Sequence, residues 1–186
     1  MANNHQVQQW RDRIIAIQER CHLLVANTTE TEFNLKPAPD RWSVSQCIDH
    51  LNKVSATLIP GLEAALDKPS LNSSGEWQPG QFEKFFLKVV GPNPGFPVSV
   101  PKPYIPELTT EPDQSLEAFI DNHNRLIALL DKVAYVDVRK LRVPSPAMRL
   151  LRVSVGCWYE SNIVHDNYHL SQAEAVLAEI KQNTEL

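Results

Sequence analysis

Two histidines near the end of the sequence are spaced so that one metal ion could bind both. His165 and His169 are four residues apart, which places their imidazoles one turn apart on the same face of a helix. Helical H-x-x-x-H pairs of this kind bind zinc and similar cations in proteins. The same spacing suits two partly buried histidines that only form hydrogen bonds, so a metal site requires a third ligand from another segment.

His50 is the natural candidate for that third ligand. It lies at the margin of the apolar stripe of a second predicted helix, about 90° from the centre of the stripe, where a structural histidine is also common. Three neutral imidazoles would leave a bound cation most of its charge and at least one open position. A water or thiol bound there would ionise near pH 7. Such a nitrogen set suits zinc, nickel, iron(II) or copper.

Four residues around the histidine pair are candidates for supporting roles. Asp166 follows His165 directly, like the acidic residue of zinc-protease helices, although it is shorter than glutamate and points about 100° away. We consider it a candidate general base. Metal-bound histidines need a partner for the second ring nitrogen, and the residues that could supply it or contact substrate are Gln172, Asn162 and Tyr168. Packing and helix-surface roles are the alternatives for these three.

Two further reactive side chains lie on predicted apolar seams. His123 is the only polar residue on the seam of the third predicted helix, which favours a satisfied core histidine over a fourth ligand or a substrate contact. Cys47 lies one turn before His50 and could be a ligand or a reactive thiol. Its position favours a small buried side chain instead, and Cys21 on the first helix is interpreted in the same way.

Apolar periodicity predicts four long helices that would position these residues. The first, third and fourth cover about residues 7–24, 113–133 and 155–181, with apolar side chains three and four apart. The second begins after Ser43, a predicted N-cap with Gln46 as its capping-box partner and Trp42 packed against Cys47. At Pro60 and the glycine that follows, we expect a kink or an end, with 62–66 as a last turn or two.

A long proline-rich crossing separates the second helix from the third. It runs from about residue 68 to 112, and seven of the chain's 14 prolines fall between positions 92 and 112, where neither a helix nor a central strand tolerates them. Residues 81–90 could form a short helix, and residues 136–148 form a connector before the last helix. The sequence therefore predicts an all-α, four-helix bundle with one long crossover.

Composition limits the possible functions. The 186 residues favour a single domain spanning 1–186, and the 42% apolar content is that of a globular protein. The net charge of −4 argues against nucleic acid. The sequence has three cysteines without a C-x-x-C pair, which favours a reducing compartment. It has neither a signal-peptide pattern nor a long apolar stretch, so we expect a cytoplasmic protein without a membrane partner. A basic run could attract an anionic substrate, although a solvated loop is the simpler interpretation: Arg139, Lys140, Arg142, Arg149 and Arg152.

Two segments carry a family resemblance. Residues 41–51, RWSVSQCIDHL, resemble the W-S-x-x-x-x-x-x-H-L signature of DinB/YfiT-like proteins, and residues 165–172, HDNYHLSQ, resemble their H-x-x-x-H-x-x-Q motif. The resemblance covers nearly the whole chain. It implies a four-helix bundle, often a homodimer, in which His50, His165 and His169 hold one divalent metal. Water or substrate would occupy the open positions.

The resemblance also suggests possible activities. Similar proteins include thiol S-transferases that use low-molecular-weight thiols, a mycothiol-dependent isomerase and proteins described as metal-dependent hydrolases. We therefore expect a metal-dependent enzyme that acts on a small molecule by thiol transfer or hydrolysis. The alternatives are a non-catalytic module for metal binding or dimerisation, and a bundle whose histidines only form hydrogen bonds. The residues of the crossing would decide access to the site.

Overall fold

Four long helices account for most of the molecule. The computed structural model describes residues 4–67, 76–145 and 150–184. In chain order the helices are α1 (Asn4–Ala26), α2 (Glu30–Asn34), α3 (Val44–Leu66), α4 (Gln81–Val90), α5 (Pro112–Val133) and α6 (Val155–Thr184). A 3-10 turn covers Lys102–Tyr104, and two short strands, β1 (Arg142–Pro144) and β2 (Arg152–Ser154), pair antiparallel.

The long helices form a four-helix bundle around one core. Helices α1 and α3 each pack against both α5 and α6, and apolar side chains three and four apart on each helix meet inside. Near one end the rings of Trp10 and Tyr159 stack with centroids 5.4 Å apart, and both are buried. The predicted bundle is confirmed. None of the described helices combines the length and hydropathy that a transmembrane span requires.

The start of α3 follows the sequence prediction, and its last turns, residues 62–66, are those that the sequence offered beyond Pro60. The Ser43 hydroxyl accepts a hydrogen bond from the Gln46 amide, and the Gln46 side chain accepts one from the Ser43 amide, both at 3.2 Å. The helix does not end at Pro60 but continues to Leu66. Residues Ile59 and Leu62 are fully buried on either side of the proline, and their packing compensates for the missing backbone donor.

Three features differ from the sequence prediction or were absent from it. The sequence places the apolar residues Leu116, Ile120 and Ile127 on the same face of α5 as His123, but they are only partly buried, while Leu126 and Leu129 are buried, because α5 contacts two neighbouring helices. Helix α2 and the β1–β2 hairpin were not predicted. Five-residue and three-residue elements are too short to produce a periodic pattern, although each has one fully buried apolar side chain: Phe33, Val143 and Val153.

The crossing between α3 and α5 contains the predicted short helix. Helix α4 covers residues 81–90 and packs against α6, where the rings of Phe86 and Trp158 meet edge to face with centroids 5.5 Å apart. The first part of the crossing, residues 68–75, and residues 146–149 of the connector before α6 lie outside the described residues. The described crossing therefore lies against the helix that carries the histidine pair.

Candidate metal centre

The three predicted histidines meet at one point between α3 and α6. His50 comes from α3, and His165 and His169 come from successive turns of α6. One possible ligand atom from each lies within 4.8 Å of the other two. The Nε2 atoms of His50 and His165 are 3.0 Å apart. The structure thus brings the ligand set of the sequence prediction together, with His50 and His169 buried and His165 partly buried.

Each imidazole is held in place through its other ring nitrogen. Nδ1 of His50 donates to the backbone carbonyl of Tyr104 at 2.8 Å, and Nδ1 of His165 donates to that of Val90 at the same distance. Nδ1 of His169 donates to Oε1 of Gln172 at 3.0 Å. Carbonyl oxygens can only accept hydrogen bonds, so each Nδ1 carries the proton. Each neutral ring therefore presents the lone pair of its Nε2 to the shared centre.

Burial keeps these rings neutral at physiological pH. It lowers the pKa of His50 to about 4 and the pKa of His169 to about 3, and neighbouring imidazoles lower both further. Burial likewise lowers the pKa of His165. Two unprotonated Nε2 atoms cannot form a hydrogen bond with each other, so the 3.0 Å contact places two lone pairs face to face. A cation between them removes this repulsion.

The spacing also suits a metal ion. Tetrahedral coordination by imidazole at 2.0–2.1 Å puts ligand nitrogens about 3.3 Å apart. The 3.0 Å contact and the 4.8 Å limit for the whole group bracket that separation. The donor set therefore fits a divalent cation with small side-chain adjustments. Some catalytic zinc sites use three nitrogen ligands without a carboxylate, and they keep the fourth coordination position open for water or substrate.

Trp42 is part of the site, a role that the sequence analysis missed. Its ring stacks on His169 with centroids 5.5 Å apart and lies against His50 at 5.0 Å. The sequence predicts for Trp42 only a contact with Cys47 at the start of the helix. Trp42 precedes the N-cap Ser43, and its place at the start of the W-S-x-x-x-x-x-x-H-L pattern was the available signal. The indole therefore covers one side of the histidine cluster.

A cavity of about 680 Å³ opens beside the histidines. Its lining includes the three residues that the sequence suggested as hydrogen-bond partners of the ligands or as substrate contacts: Asn162, Tyr168 and Gln172. Most of the remaining wall is apolar and comes from α3, α4, α6 and the crossing. A larger recess of about 950 Å³ between α2, α3 and α5 contains none of the histidines. The smaller cavity is therefore the one where a substrate would reach the cluster.

Asp166 and His123 lie inside the bundle rather than in the cavity. The Asp166 carboxylate is 1% exposed, lies 3.0 Å from Nε2 of His123 and accepts a hydrogen bond from Asn162. His123 is fully buried, and its Nδ1 donates to the carbonyl of Phe119 at 2.7 Å. The carboxylate is turned toward the core, which removes the structural basis for Asp166 as a general base. His123 is a core histidine with both nitrogens occupied.

The basic run does not surround the cavity. Arg139 and Lys140 pair with Asp137, and Arg142 pairs with Glu83. None of these cations, nor Arg152, is among the described residues that line the cavity. Arg149 lies outside the described residues. In the described part of the chain the run therefore agrees with the simpler interpretation, a solvated basic segment, and not with attraction of an anionic substrate to the site.

All three cysteines are buried and unpaired. Burial raises the pKa of each thiol to about 12. None of them belongs to the histidine group or to the cavity lining. The interpretation of Cys47 and Cys21 as small core side chains agrees with their complete burial. A thiol nucleophile in the cavity would therefore have to come from a bound molecule.

Comparisons with known proteins point to one family. The model of the family described as the DinB superfamily matches residues 13–173. Among solved structures, YfiT from Bacillus subtilis, described as a probable metal-dependent hydrolase with an unusual four-helix bundle topology, has a TM-score of 0.64. The two chains are 14% identical, and the match covers 96% of this chain and 89% of YfiT. The comparison with curated protein sequences finds no match.

Proposed function

Since the chain belongs to the DinB superfamily and gathers three imidazoles at the end of a cavity, we propose that it is a metal-dependent hydrolase of a small molecule. In this proposal His50, His165 and His169 hold one divalent metal. The main support is the contact between the Nε2 atoms of His50 and His165. Because both rings hold their proton on Nδ1, neither Nε2 atom can donate a hydrogen bond to the other. The description of YfiT as a probable metal-dependent hydrolase supports the same activity.

The protein's own residues would hold and shield the reacting centre. A bound divalent cation supplies Lewis acidity and lowers the pKa of a water molecule or thiol beside it. The hydrogen bonds at the three Nδ1 atoms fix which nitrogen would face the cation, and the ring of Trp42 would cover one side of it. Zinc, nickel and iron(II) all suit three imidazole nitrogens, so the donor set does not select among them.

Thiol S-transfer is the second candidate, because the same three neutral ligands would also favour a bound thiolate. Since the chain's cysteines are buried outside the cavity, the nucleophile would be a low-molecular-weight thiol cofactor. The remaining alternative is a non-catalytic protein, which would bind the metal without converting a substrate. A homodimer and a cytoplasmic location stay predictions from the sequence.

The first experiment measures metal content by elemental analysis of tag-free protein. The parent, His50→Ala and His169→Ala are compared with His22→Ala, an exposed histidine of α1 that serves as a matched control. We expect about one divalent metal per chain in the parent and the control, and loss in the two site variants with unchanged circular dichroism. Equal metal content in all four proteins would contradict the proposed site.

The second experiment separates the candidate activities. Parent protein with one bound metal is assayed on ester, amide and phosphoester substrates, and on an electrophilic acceptor with and without an added small thiol. Turnover without thiol that disappears in His169→Ala supports hydrolysis. Turnover only with thiol favours S-transfer. A metal-loaded protein inactive in both assays would support the non-catalytic alternative.

A further inference from the structure

The cavity follows the groove between two antiparallel helices. His50 on α3 meets His165 on α6, and five residues further along α3 the hydroxyl of Ser55 donates to Asn162, three residues earlier on α6. The helices therefore run in opposite directions beside the cavity. Leu58 and Trp158 line it about two turns from the histidines on α3 and α6 respectively. Two turns correspond to roughly 10–12 Å, so the space is elongated.

The wall of this groove is almost free of charge. Among the described residues that line it, the histidines apart, only Asp40 and Arg41 have ionisable acidic or basic side chains. Both are exposed, and Arg41 is held by the carboxylate of Glu179 at 2.8 and 3.0 Å. A substrate carboxylate or phosphate far from the histidines would therefore meet no unpaired cation there. Transfer of a charged group into such a space is unfavourable.

Two polar side chains in the middle of the wall, Asn162 and Ser161, already have partners in the protein. The Asn162 amide donates to Asp166 and accepts from Ser55 at 3.4 Å. The hydroxyl of Ser161 donates to the carbonyl of Trp158 at 3.0 Å. The middle of the groove therefore offers mainly apolar surface to a ligand, and the strongest polar recognition is at the histidine end.

The apolar surface continues from the groove to the outside of the crossing. Phe86 and Val98 line the cavity, and Val98 is also 47% exposed. The ring of Phe86 stacks on Phe82, and the ring of Phe85 stacks on Phe96, with both pairs on the crossing. Phe82, Phe85 and Phe96 are each about half exposed. A ligand that extends from the histidines can thus remain in contact with apolar side chains up to the surface.

We propose that the site acts on an uncharged, elongated molecule whose polar reacting group lies at the three histidines and whose apolar body fills the α3–α6 groove. This inference rests on the proposed function, because the reacting group is placed at the metal. It adds the substrate class: a long-chain or extended aromatic compound without a charged tail. The cavity volume of about 680 Å³ lies within the range of small-molecule sites.

The test uses a series of n-alkyl hydroxamic acids, from acetohydroxamic to decanohydroxamic acid, whose head is uncharged in solution and binds a metal with release of one proton to the buffer. Their affinity for zinc-loaded protein is measured by isothermal titration calorimetry. We expect roughly fourfold tighter binding for each added methylene, levelling off once the chain fills the groove. An analogue of matched length that ends in a carboxylate should bind at least tenfold more weakly. A flat series, or equal affinity for the carboxylate analogue, would overturn the inference.

Variants of the wall provide the matched comparison. Val54→Asp places a carboxylate in the lining from α3, and Ala56→Asp places one on the exposed face of the same helix. We expect the first to remove the chain-length dependence without loss of zinc, and the second to leave it unchanged. If Val54→Asp does not fold, Val98→Asp tests the same wall at a half-exposed position of the crossing. Unchanged chain-length dependence in a folded wall variant would contradict the proposal.

A metal-independent measurement distinguishes failure of this inference from failure of the proposed function. The neutral fluorophore N-phenyl-1-naphthylamine should bind the parent and the metal-free His169→Ala variant, and Val98→Asp should reduce that binding. Fluorophore binding without any metal in the parent would refute the metal site but keep the apolar groove. One metal per chain without fluorophore binding or chain-length dependence would refute the groove and leave the metal site standing.

Discussion

The hydrogen bond between His169 and Gln172 should determine much of the metal affinity. Burial lowers the pKa of His169, and the neighbouring His165 and His50 lower it further, whereas the bond to Gln172 acts in the opposite direction. Gln172→Leu removes the acceptor that lies 3.0 Å from Nδ1. The Nε2 lone pair then belongs to a less basic and less firmly oriented ring.

The size of the effect follows from the nature of this bond. A neutral hydrogen bond contributes about 0.5–1.5 kcal/mol, and one to a charged group about 1.5–3 kcal/mol. A bound cation withdraws electrons from the ring, so the Nδ1–H donor lies between these cases. At about 1.4 kcal/mol per factor of ten, we expect zinc affinity to fall roughly 10- to 100-fold, in the range known for partners of metal-bound histidines.

Competition with a chromophoric chelator at pH 7 measures this affinity directly. Gln172→Glu keeps an acceptor and adds negative charge, so it should bind zinc at least as tightly as the parent. Ser171→Ala, at the exposed neighbouring position, contacts Arg20 rather than the histidines and should bind like the parent. If Gln172→Leu stays within twofold of the parent while His169→Ala loses zinc, the bond to Gln172 does not set the ligand's basicity.

Three further outcomes follow from the packing. Burial raises the pKa of the thiols of Cys21, Cys47 and Cys157, so all three are neutral at pH 8. They should not react with a thiol reagent in the folded protein, and three thiols per chain should react once denaturant unfolds it. A Cβ at Gly156 would overlap the ring of Trp77, so Gly156→Ala should lower the free energy of unfolding by about 1–3 kcal/mol. In a double-mutant cycle measured by denaturant unfolding, the same substitution should cost nothing further when Trp77 is already replaced by alanine. Trp42→Ala should weaken zinc binding about 2- to 10-fold in the chelator assay, because an aromatic contact contributes about 0.5–1.5 kcal/mol, while Trp42→Phe retains most of it.

The long elements were predictable because their patterns are local and repeated. Each bundle helix presents several apolar side chains with helical spacing, and Ser43 and Gln46 form the predicted capping box. The pair His165 and His169 could be placed on one face from spacing alone. His50 could be named only as a candidate, since no local pattern shows that α3 and α6 are antiparallel neighbours in the register that brings it to the pair.

The points that the sequence left open depend on contacts that join distant parts of the chain. Pro60 would end an isolated helix, but burial of α3 on both sides of it preserves the helix. Asp166 follows a metal-ligand candidate and looked suitable as a base. Its carboxylate instead faces His123, 43 residues away in sequence. Side-chain type indicates what chemistry a residue can perform, whereas the direction of the side chain depends on which helices pack together.

The crossing illustrates a further limit, because its contribution to the site is made by backbone atoms. Val90 ends α4, where the last carbonyls of a helix have no partner within it. Its carbonyl accepts the proton of His165, and the partial negative charge at that helix end favours a donor bound to a cation. Tyr104 lies in a proline-rich stretch, and proline supplies no backbone donor. Its carbonyl therefore remains available to His50.

These two contacts do two things at once. They satisfy carbonyl groups that the crossing cannot satisfy within itself, and they fix the protons of two imidazoles on the nitrogen that faces away from the shared centre. Any change that moves the backbone at Val90 or Tyr104 would therefore alter the ligand geometry without altering a ligand. The proline-rich crossing is thus a structural part of the candidate metal centre as well as a wall of its cavity, although no side-chain motif in it indicates either role.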